Sequence, residues 1–511
     1  MSHPLGIPEI LRLICDRGDK KTTLSVALTC RTFLEPALDR LWHEVTSFQP
    51  LIRCLPTDLF SLADKKVLRP RRTIVEEDLK RYLTVYAHRI RTFALQLEEQ
   101  KQFLSIETLG ALQLATEYRL GALSPLLQHF RWPSPEEDYR CIHPESSSEL
   151  LSSYIALFLG DNTQRIELEW HDHDYPLYTG SVLFHIKRRS PHLKELRLRA
   201  SVTDAFVTLF LDPFPWTSLE ALALEGMECT DELFLALAKM PRLRRLEIDD
   251  SHQSPQQFAA RENTSFLSLD TLIIRSCDFS GPAYILQFLP TTTKLVRLKI
   301  EAGGDCGSTD CQEAIDAIRK HCNPCALQHL ELYDSTYTAH GQETLDLEED
   351  EKEDADLWEL GAFSTLTTLT IRCGGRLGVL REEIGKFTET WPRLQHLDLC
   401  PMQYSRGLVP TLDHNDLLKF LQALPLLRYL GLRFDATQLG SDQGPPALGP
   451  FQLRTLRVGE SPIRSPSRVV KYLKDHFPDL EELDAQYTSP ISIQRPNMLD
   501  RRWAEVVKLR A

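Results

Sequence analysis

The sequence predicts an α/β solenoid, because one apolar phrase recurs along most of the chain. The phrase has apolar residues at its first, fourth and sixth positions and occurs eleven times between Leu193 and Ala485. Copies begin 24 to 39 residues apart, mostly the length of one short strand plus one helix, and segments such as DELFLALAKM between them have a helical period. A repeat of this length cannot bury its apolar face alone, so neighbouring repeats must stack into one continuous core.

The phrases place the strands, and prolines separate them from the helices. Proline stands two positions before the first leucine in five copies, where it ends the helix and favours extended geometry in the residue before it. We therefore expect the three apolar positions of each phrase to lie in the core. The first leucines are Leu193, Leu219, Leu243, Leu269, Leu295, Leu327, Leu366, Leu394, Leu427, Leu453 and Leu480.

The phrase resembles that of leucine-rich repeats, which implies a horseshoe-shaped solenoid with a concave sheet. That family usually has asparagine or cysteine eight residues after the first leucine, and here only Cys277 matches. We therefore expect irregular repeats without an asparagine ladder. Two earlier segments, HRIRTFALQL and TQRIELEW, match the phrase loosely and suggest that repeats begin before residue 193.

The first 45 residues predict three short helices. Pro8 opens the amphipathic segment IPEILRLI, DRGDKK forms a polar turn, and LSVALTCRTFLEPALDRLWHEV supplies two more helices. In this order the segments resemble an F-box over about residues 5–45, although Phe33 stands where tryptophan is common. The alternative is a helical cap that covers the end of the solenoid.

An F-box resemblance implies docking on a Skp-type adaptor and, through it, association with a cullin. It implies an adaptor-facing set of residues, some of which must instead pack the three helices together. The set is Ile7, Pro8, Ile10, Leu11, Ile14, Leu28, Phe33 and Trp42.

The predicted organisation has four parts. They are the F-box at 1–45, a helical linker with the first irregular repeats at 46–160, the solenoid at 161–490, and a C-terminal cap or tail at 491–511. Within the solenoid, residues 346–356 hold eight acidic residues and one lysine. Because these carboxylates repel one another, we expect a solvated loop, and a docking patch for a basic partner is the alternative.

Composition narrows the class of protein. Hydrophobic residues make up 42% and charged residues 26%, values typical of a soluble protein. The net charge of −13 comes without a basic stripe, so we expect no nucleic-acid partner. No apolar run is long enough to span a bilayer and the start is unlike a signal peptide, so we expect no membrane association and a cytoplasmic or nuclear location.

The outward positions of the strands are the candidate binding surface. Side chains two, four and six residues after each first leucine alternate away from the core. Arginine and tyrosine at such positions often anchor protein interfaces, although charged residues on a wet sheet face also serve only solubility. The predicted substrate-binding residues are Arg197, Arg199, Arg245, Arg275, Arg297, Tyr333, Arg372, Tyr429 and Arg433.

Three local clusters imitate chemistry without matching a known site. His171–Asp174 is a run of alternating His and Asp, and Gly303–Thr309 lacks the order of a phosphate-binding loop. Cys306, Cys311, Cys322 and Cys325 have spacings unlike a zinc finger. We therefore expect no metal, no cofactor and no enzymatic activity, with a repeat-borne hydrolase or metalloenzyme as a remote alternative.

An F-box followed by leucine-rich repeats resembles the substrate-receptor subunit of a cullin–RING (SCF-type) ubiquitin ligase. The resemblance implies that the helices bind the adaptor and the repeats hold a protein substrate. The alternative is a protein-interaction scaffold that works outside any ligase.

Overall fold

The computed structural model describes residues 7–64, 67–96, 102–132, 154–170, 186, 188, 190–202, 216–227, 230–250, 266–290, 292–303, 308–334, 355–373, 379–400, 410–439, 449–459, 461–485 and 498–510. The chain divides into two compact units, residues 1–228 and 229–511. The sequence had placed its boundaries at 45, 160 and 490.

The first unit combines short helices with parallel strands. Its helices are α1 (Pro8–Arg17), α2 (Lys20–Ala27), α3 (Arg31–His43), α4 (Gln49–Cys54), α5 (Glu76–Val85) and α6 (Ile106–Ala115), with 3-10 turns at Ala87–Arg89 and Tyr154–Leu157. Its strands are β1 (Glu44–Val45), β2 (Phe60–Asp64), β3 (Val67–Pro70), β4 (Thr92–Ala94), β5 (Phe103–Leu104), β6 (His129–Trp132), β7 (Arg165–Trp170), β8 (Glu195–Val202) and β9 (Ala221–Met227).

The repeat sheet of this unit begins directly after α3. Strands β1, β4, β6, β7, β8 and β9 pair in that order and all run parallel. Strands β2, β3 and β5 form a separate small sheet. The loosely matching segments HRIRTFALQL and TQRIELEW contain the strands β4 and β7.

Three helices at the N-terminus pack through small residues. Asp19 caps α2 by accepting a hydrogen bond from the Thr22 backbone N–H at 2.6 Å. Cys15, Ala27 and Ala37 form the shared core, and their small side chains let the helices approach closely. A three-helix arrangement is therefore present where the sequence predicted one.

Aromatic rings fill the core beneath the first strands. Phe48, Phe93, Phe130, Trp132 and Phe158 contact one another, and the rings of Phe93 and Phe158 stack with centroids 4.4 Å apart. These side chains bury far more apolar area than leucine would, which compensates for the shortness of β1, β4 and β6.

The second unit repeats one strand after another along the chain. Its strands are β10 (Arg245–Asp250), β11 (Thr271–Ser276), β12 (Arg297–Ala302), β13 (His329–Asp334), β14 (Thr368–Arg372), β15 (His396–Asp398), β16 (Tyr429–Gly431), β17 (Thr455–Arg457) and β18 (Glu482–Asp484). Successive strands from β10 to β18 pair in parallel.

Helices of the second unit connect these strands. They are α7 (Asp231–Ala238), α8 (Ser280–Leu286), α9 (Ser308–His321), α10 (Ile384–Thr390), α11 (His414–Ala423), α12 (Pro466–His476) and α13 (Met498–Arg510), with 3-10 turns at Leu357–Ala362 and Arg381–Glu383. Helices α7, α11 and α12 each end two or three residues before a predicted proline stop, at Pro241, Pro425 and Pro478. Among the described helices, none is long and apolar enough to cross a membrane.

All eleven phrases form strands, β8 to β18, and all eleven first leucines are 4% exposed or less. Burying such a side chain contributes roughly 1.5–3 kcal/mol, so the inward positions dominate the stability of each unit. The predicted core of the repeats is therefore confirmed.

Hydroxyl side chains form hydrogen bonds between neighbouring repeats, which have no asparagine ladder. Ser268 donates to the Pro241 carbonyl at 2.7 Å, and Thr365 donates to the Leu327 carbonyl at 2.6 Å. Ser461 stands eight residues after a first leucine; its Oγ accepts from the Phe434 N–H at 2.9 Å and donates to the Val458 carbonyl. The repeats thus satisfy their backbone groups one by one rather than through a single ladder.

Helix α13 packs against the last repeats. Trp503 is fully buried and donates from Nε1 to the Ser461 carbonyl at 2.8 Å, while Arg502 donates to the Ile463 carbonyl at 2.6 Å. The described part of the C-terminal segment therefore packs against the repeats.

Candidate protein-interaction faces

The outward positions of β10 to β18 share one face of the second unit. Strand register aligns them in rows across the sheet, so residues far apart in the chain become neighbours about 4.8 Å apart. The first row is Arg245, Thr271, Arg297, His329, Thr368, His396, Tyr429, Thr455 and Glu482, and the second is Glu247, Ile273, Lys299, Glu331, Thr370, Asp398, Gly431, Arg457 and Asp484.

Four cations on β10 to β12 surround one isoleucine. Ile273 is nearly buried at the centre, and Arg245, Arg275, Arg297 and Lys299 lie around it on its own and the two adjacent strands. We call these five residues the cationic ring. It brings together three of the predicted substrate-binding arginines.

Carboxylates lie beneath the cations of this ring. Arg245 donates to Glu247 at 2.8 Å, and its side chain is 54% exposed whereas that of Glu247 is 6% exposed. Arg275 donates to Glu301 at 2.6 Å, and Lys299 pairs with the same carboxylate at 2.6 Å. Burial alone would raise the pKa of Glu301, but Lys299 and Arg275 outweigh it and hold this pKa below its usual 4.5.

A different arrangement occupies β14 to β17, where cations converge on one buried carboxylate. Asp398 is fully buried and accepts from Arg372 Nε at 2.8 Å, from the Tyr429 hydroxyl at 3.0 Å and from the Cys400 N–H at 3.1 Å. Arg457 lies 3.7 Å from the same carboxylate. We call Asp398, Arg372, Tyr429 and Arg457 the Asp398 hub.

Gly431 makes room for this hub. A Cβ at Gly431 would overlap the Asp398 carboxylate, which lies over the glycine backbone. Burial of Tyr429, together with the nearby Asp398 charge, raises the pKa of its hydroxyl well above the usual 10, so it stays a hydrogen-bond donor. Two predicted residues, Arg372 and Tyr429, are therefore bound to other residues of the chain.

Tyr333 connects the ring and the hub. Lys299 lies 5.0 Å and Arg372 5.3 Å from the centre of its ring, distances typical of cation–π contacts. Its hydroxyl donates to Glu331 at 3.0 Å, and burial raises the pKa of Tyr333 to about 12. The stacked rings of His396 and Tyr429, 3.8 Å apart, extend this aromatic strip. Arg433 follows β16 and is partly buried.

The sheet face of the first unit also pairs arginines with recessed carboxylates. Arg197 and Arg199 lie 3.6 and 3.8 Å from Glu225, and both are more exposed than it is. Glu167 accepts from His129 and lies 2.7 Å from Arg165; these neighbours outweigh burial and lower the pKa of Glu167 to about 2.

The predicted adaptor-facing residues lie in different environments. Leu11 is 1% exposed and packs the helices, and Trp42 stacks on Tyr86 at 4.2 Å. Leu28 is 79% and Ile14 is 42% exposed. Ile7, Ile10 and Phe33 are partly exposed, and the side chain of Pro8 lies outside the described residues.

Three further leucines on these helices are exposed, and the sequence analysis did not select them. They are Leu13, Leu24 and Leu34. Helical spacing could have identified Leu13, which lies two positions and therefore about 200° from the buried Leu11. Leu24 and Leu34 each lie three positions before a buried alanine, on nearly the same side of the helix, so spacing alone did not show that they are exposed.

A buried arginine attaches α3 to the first repeat. Arg89 is 6% exposed at its side chain, donates to the Glu35 carboxylate at 2.5 Å, pairs with Asp39, and donates from Nε to the Val85 carbonyl. We call this contact the Arg89 clamp. No sequence pattern identified this contact, because the two carboxylate partners of Arg89 lie 50 or more residues earlier in the chain.

The residue clusters that imitate metal sites in the sequence lie partly within and partly outside the described residues. Cys311 and Cys322 are buried on or just after α9, and burial raises the pKa of Cys322 to about 12, which keeps its thiol protonated. Cys306, His171–Asp174 and residues 346–354 of the acidic segment lie outside the described residues. Within the described ranges, no group of three or more His, Cys, Asp or Glu residues is placed to hold a metal ion.

The repeat phrase, one parallel strand per phrase and the buried leucines at each first position are the features of leucine-rich repeats. Each of the two units has a fold of the leucine-rich-repeat type. No protein-family model and no curated protein matches this sequence.

Solved structures of repeat proteins are similar to this chain at low identity. The complex of Rad7 and Elc1 from yeast shares 13% identity, with a TM-score of 0.31 over 79% of this chain and 91% of that chain. The leucine-rich repeat-containing protein LegL7 from Legionella pneumophila shares 14%, with a TM-score of 0.32 over 75% and 98%. The complex of TLR13 with ssRNA13 shares 13%, with a TM-score of 0.36 over 78% and 51%. Similarities of this size carry no argument about function.

Proposed function

We propose that this protein is the substrate-recognition subunit of an SCF-type ubiquitin ligase. Helices α1 to α3 would dock on a Skp-type adaptor, and the repeats would hold the protein to be modified. In this role the chain performs no chemistry of its own, because a receptor raises effective concentration and orients its client.

The observation that carries the proposal is the apolar surface of α1 to α3. Five large aliphatic side chains are exposed on three short helices and the turns between them: Leu13, Ile14, Leu24, Leu28 and Leu34. Several exposed aliphatic side chains grouped on a few short helices favour a partner surface over scattered single exposures. Burying the exposed part of each side chain in a partner would contribute at most roughly 1.5–3 kcal/mol, and less for Ile14 and Leu34, which are 42% and 39% exposed.

This surface refines the predicted adaptor-facing set. Ile14 and Leu28 remain in it because both are exposed, whereas Leu11 supports the helices from within. Trp42 packs on Tyr82 and Tyr86 and joins the helices to α5. The docking surface we propose therefore consists of the five exposed aliphatic residues.

The test is adaptor capture by the full chain with Ile14→Asp and Leu28→Asp combined. Two desolvated charges should weaken adaptor binding by more than about tenfold, since burying an unpaired carboxylate costs several kcal/mol. The matched control combines Leu380→Asp and Leu426→Asp, each 51% exposed and outside the three helices. Adaptor capture that survives the first pair, or is lost equally with the control, contradicts the proposal.

Co-purification of a cullin separates the two functions that the sequence left open. A ligase receptor brings down adaptor and cullin together, and both are lost in the Ile14→Asp, Leu28→Asp variant. Adaptor without cullin would instead support a scaffold that works outside a ligase.

A further inference from the structure

We propose that the cationic ring around Ile273 binds an acidic segment of the protein partner, one in which glutamate or aspartate alternates with an aliphatic residue. This inference deepens the proposed function, and it rests on the repeats being the partner-binding part of the chain. It names the partner's chemistry, which the sequence left open.

Two exposed arginines of the ring flank Thr271 on the neighbouring strands. Arg245 and Arg297 stand on either side of Thr271 in the first row, two strand spacings or about 9.6 Å apart along the sheet. Both side chains are exposed. A carboxylate placed above Thr271 would be within reach of both guanidinium groups, which favour planar, charge-assisted hydrogen bonds.

The charge of this surface suits an acidic partner even though the chain as a whole carries −13. The outward positions of β10 to β12 hold four cations and three carboxylates, Glu247, Asp249 and Glu301. Glu247 is buried and the other two are partly buried, whereas Arg245 and Arg297 are exposed. An approaching ligand therefore meets positive charge first.

Recessed carboxylates also preorganise the ring. Glu301 holds Arg275 and Lys299 in place, and Glu247 holds Arg245, so fewer side-chain rotamers are lost when a ligand binds. The nearly buried Ile273 provides an apolar centre on which an aliphatic side chain of the partner can pack. Acidic and aliphatic groups side by side match this combination.

An acidic peptide fits better than a nucleic acid. A long polyanion follows an extended basic stripe, whereas further strands of this face carry the partly exposed carboxylates of Glu331 and Asp484 in the second row. A short peptide avoids this repulsion because its charges lie only over the ring.

The experiment is fluorescence anisotropy with the full chain and a fluorescein-labelled peptide of alternating glutamate and leucine. Arg245→Glu combined with Arg297→Glu should weaken binding at least about tenfold, and the wild-type affinity should fall as salt is raised. A glutamine-for-glutamate peptide should bind at least about tenfold more weakly. The matched control is Arg242→Glu with Arg393→Glu, the same change in net charge at exposed turn positions before β10 and β15.

Three results would overturn the inference. They are no measurable binding of the glutamate peptide, equal weakening by both double variants, and tighter ring-dependent binding of a single-stranded oligonucleotide than of the peptide. Adaptor capture is measured on the same proteins. If the wild-type chain captures the adaptor but does not bind the peptide, only this inference is contradicted. If it binds the peptide but does not capture the adaptor, only the ligase proposal is contradicted.

Discussion

The cationic ring and the Asp398 hub use the same residue types at equivalent outward positions, yet they bury them differently. In the ring, Arg245 is 54% exposed above a recessed carboxylate, whereas in the hub Arg457 is 6% exposed and shares Asp398 with Arg372. The difference arises at the second row of outward residues. There the bulk of Ile273 keeps the cations of the ring near the surface, whereas Gly431, which has no side chain, leaves room for the hub to lie deeper. An outward arginine is therefore available to a ligand only where its guanidinium stays exposed, as it does in Arg245 and Arg297.

The largest effect that separates the two regions is expected from Asp398→Asn. Arg372 would remain largely buried without a counter-charge, and Arg457 would keep only Asp484, 3.7 Å from its Nε. Breaking such a buried pair costs about 3–5 kcal/mol. Urea denaturation followed by circular dichroism measures the loss. Asp479→Asn, at an exposed turn, should change stability by less than about 0.5 kcal/mol. A loss below about 1 kcal/mol for Asp398→Asn would mean that the hub is not structural.

Gly431→Ala should cost somewhat less, about 1–3 kcal/mol, because the new methyl group meets a carboxylate that three donors hold in place. Gly385→Ala is the matched control, since nothing lies within 4 Å of that position in α10 and alanine favours the helix. The loss of unfolding free energy caused by Gly431→Ala should be smaller when Asp398 is also replaced by alanine. Additive effects in that double variant would contradict the steric explanation.

A smaller effect distinguishes two arginines within the ring. Arg275→Met removes one of two cations from both Glu247, which keeps Arg245, and Glu301, which keeps Lys299. It should cost about 1–2 kcal/mol, less than a fully buried pair, because Arg275 is partly exposed. Arg297→Met should stay within about 0.5 kcal/mol. Thermal unfolding of both variants measures the difference, and equal losses would remove the distinction between supporting and binding cations.

The smallest effect is the pH dependence that His396 contributes on the hub side. Burial and the charge of Arg372 lower the pKa of His396 from 6.5, against the opposing charges of Asp398 and Glu331. The unfolded chain therefore binds a proton more readily, and this histidine reduces stability as the pH falls through 6.5. His396→Phe keeps the ring stacking on Tyr429 and should reduce the loss between about pH 7.5 and about pH 5.5. The control is His192→Phe, at an exposed turn, which should leave this loss of stability unchanged. If both variants lose as much stability as the wild type does, the role of His396 is contradicted.

Sequence periodicity identified what depends on local order. The leucine phrase gave every strand from β8 to β18, because three apolar positions at fixed spacing are enough to define an inward face. It missed β1 and β6, since strands of two and four residues carry no complete phrase and their cores are aromatic rather than leucine-rich.

Burial across the sheet could not be predicted in the same way. Arg245 and Arg372 looked alike as outward residues, and what distinguishes them is the neighbour brought alongside by strand register, tens of residues away in the chain. The glycine at 431 makes room for a carboxylate at 398, and no local pattern links the two. Helical spacing likewise showed that α1 is amphipathic without showing that Leu11 is the inner residue.

The Arg89 clamp has a practical consequence for dissecting the chain. A fragment that ends at residue 45 would lose the cation that neutralises Glu35 and Asp39, expose the indole face of Trp42 that Tyr86 covers, and leave β1 without its neighbour β4. The smallest piece that retains these contacts extends beyond β4 and the aromatic core beneath it. Protease digestion of the native protein should therefore spare the peptide bonds around residue 45, and the three helices should lose their structure together with the first strands that hold them.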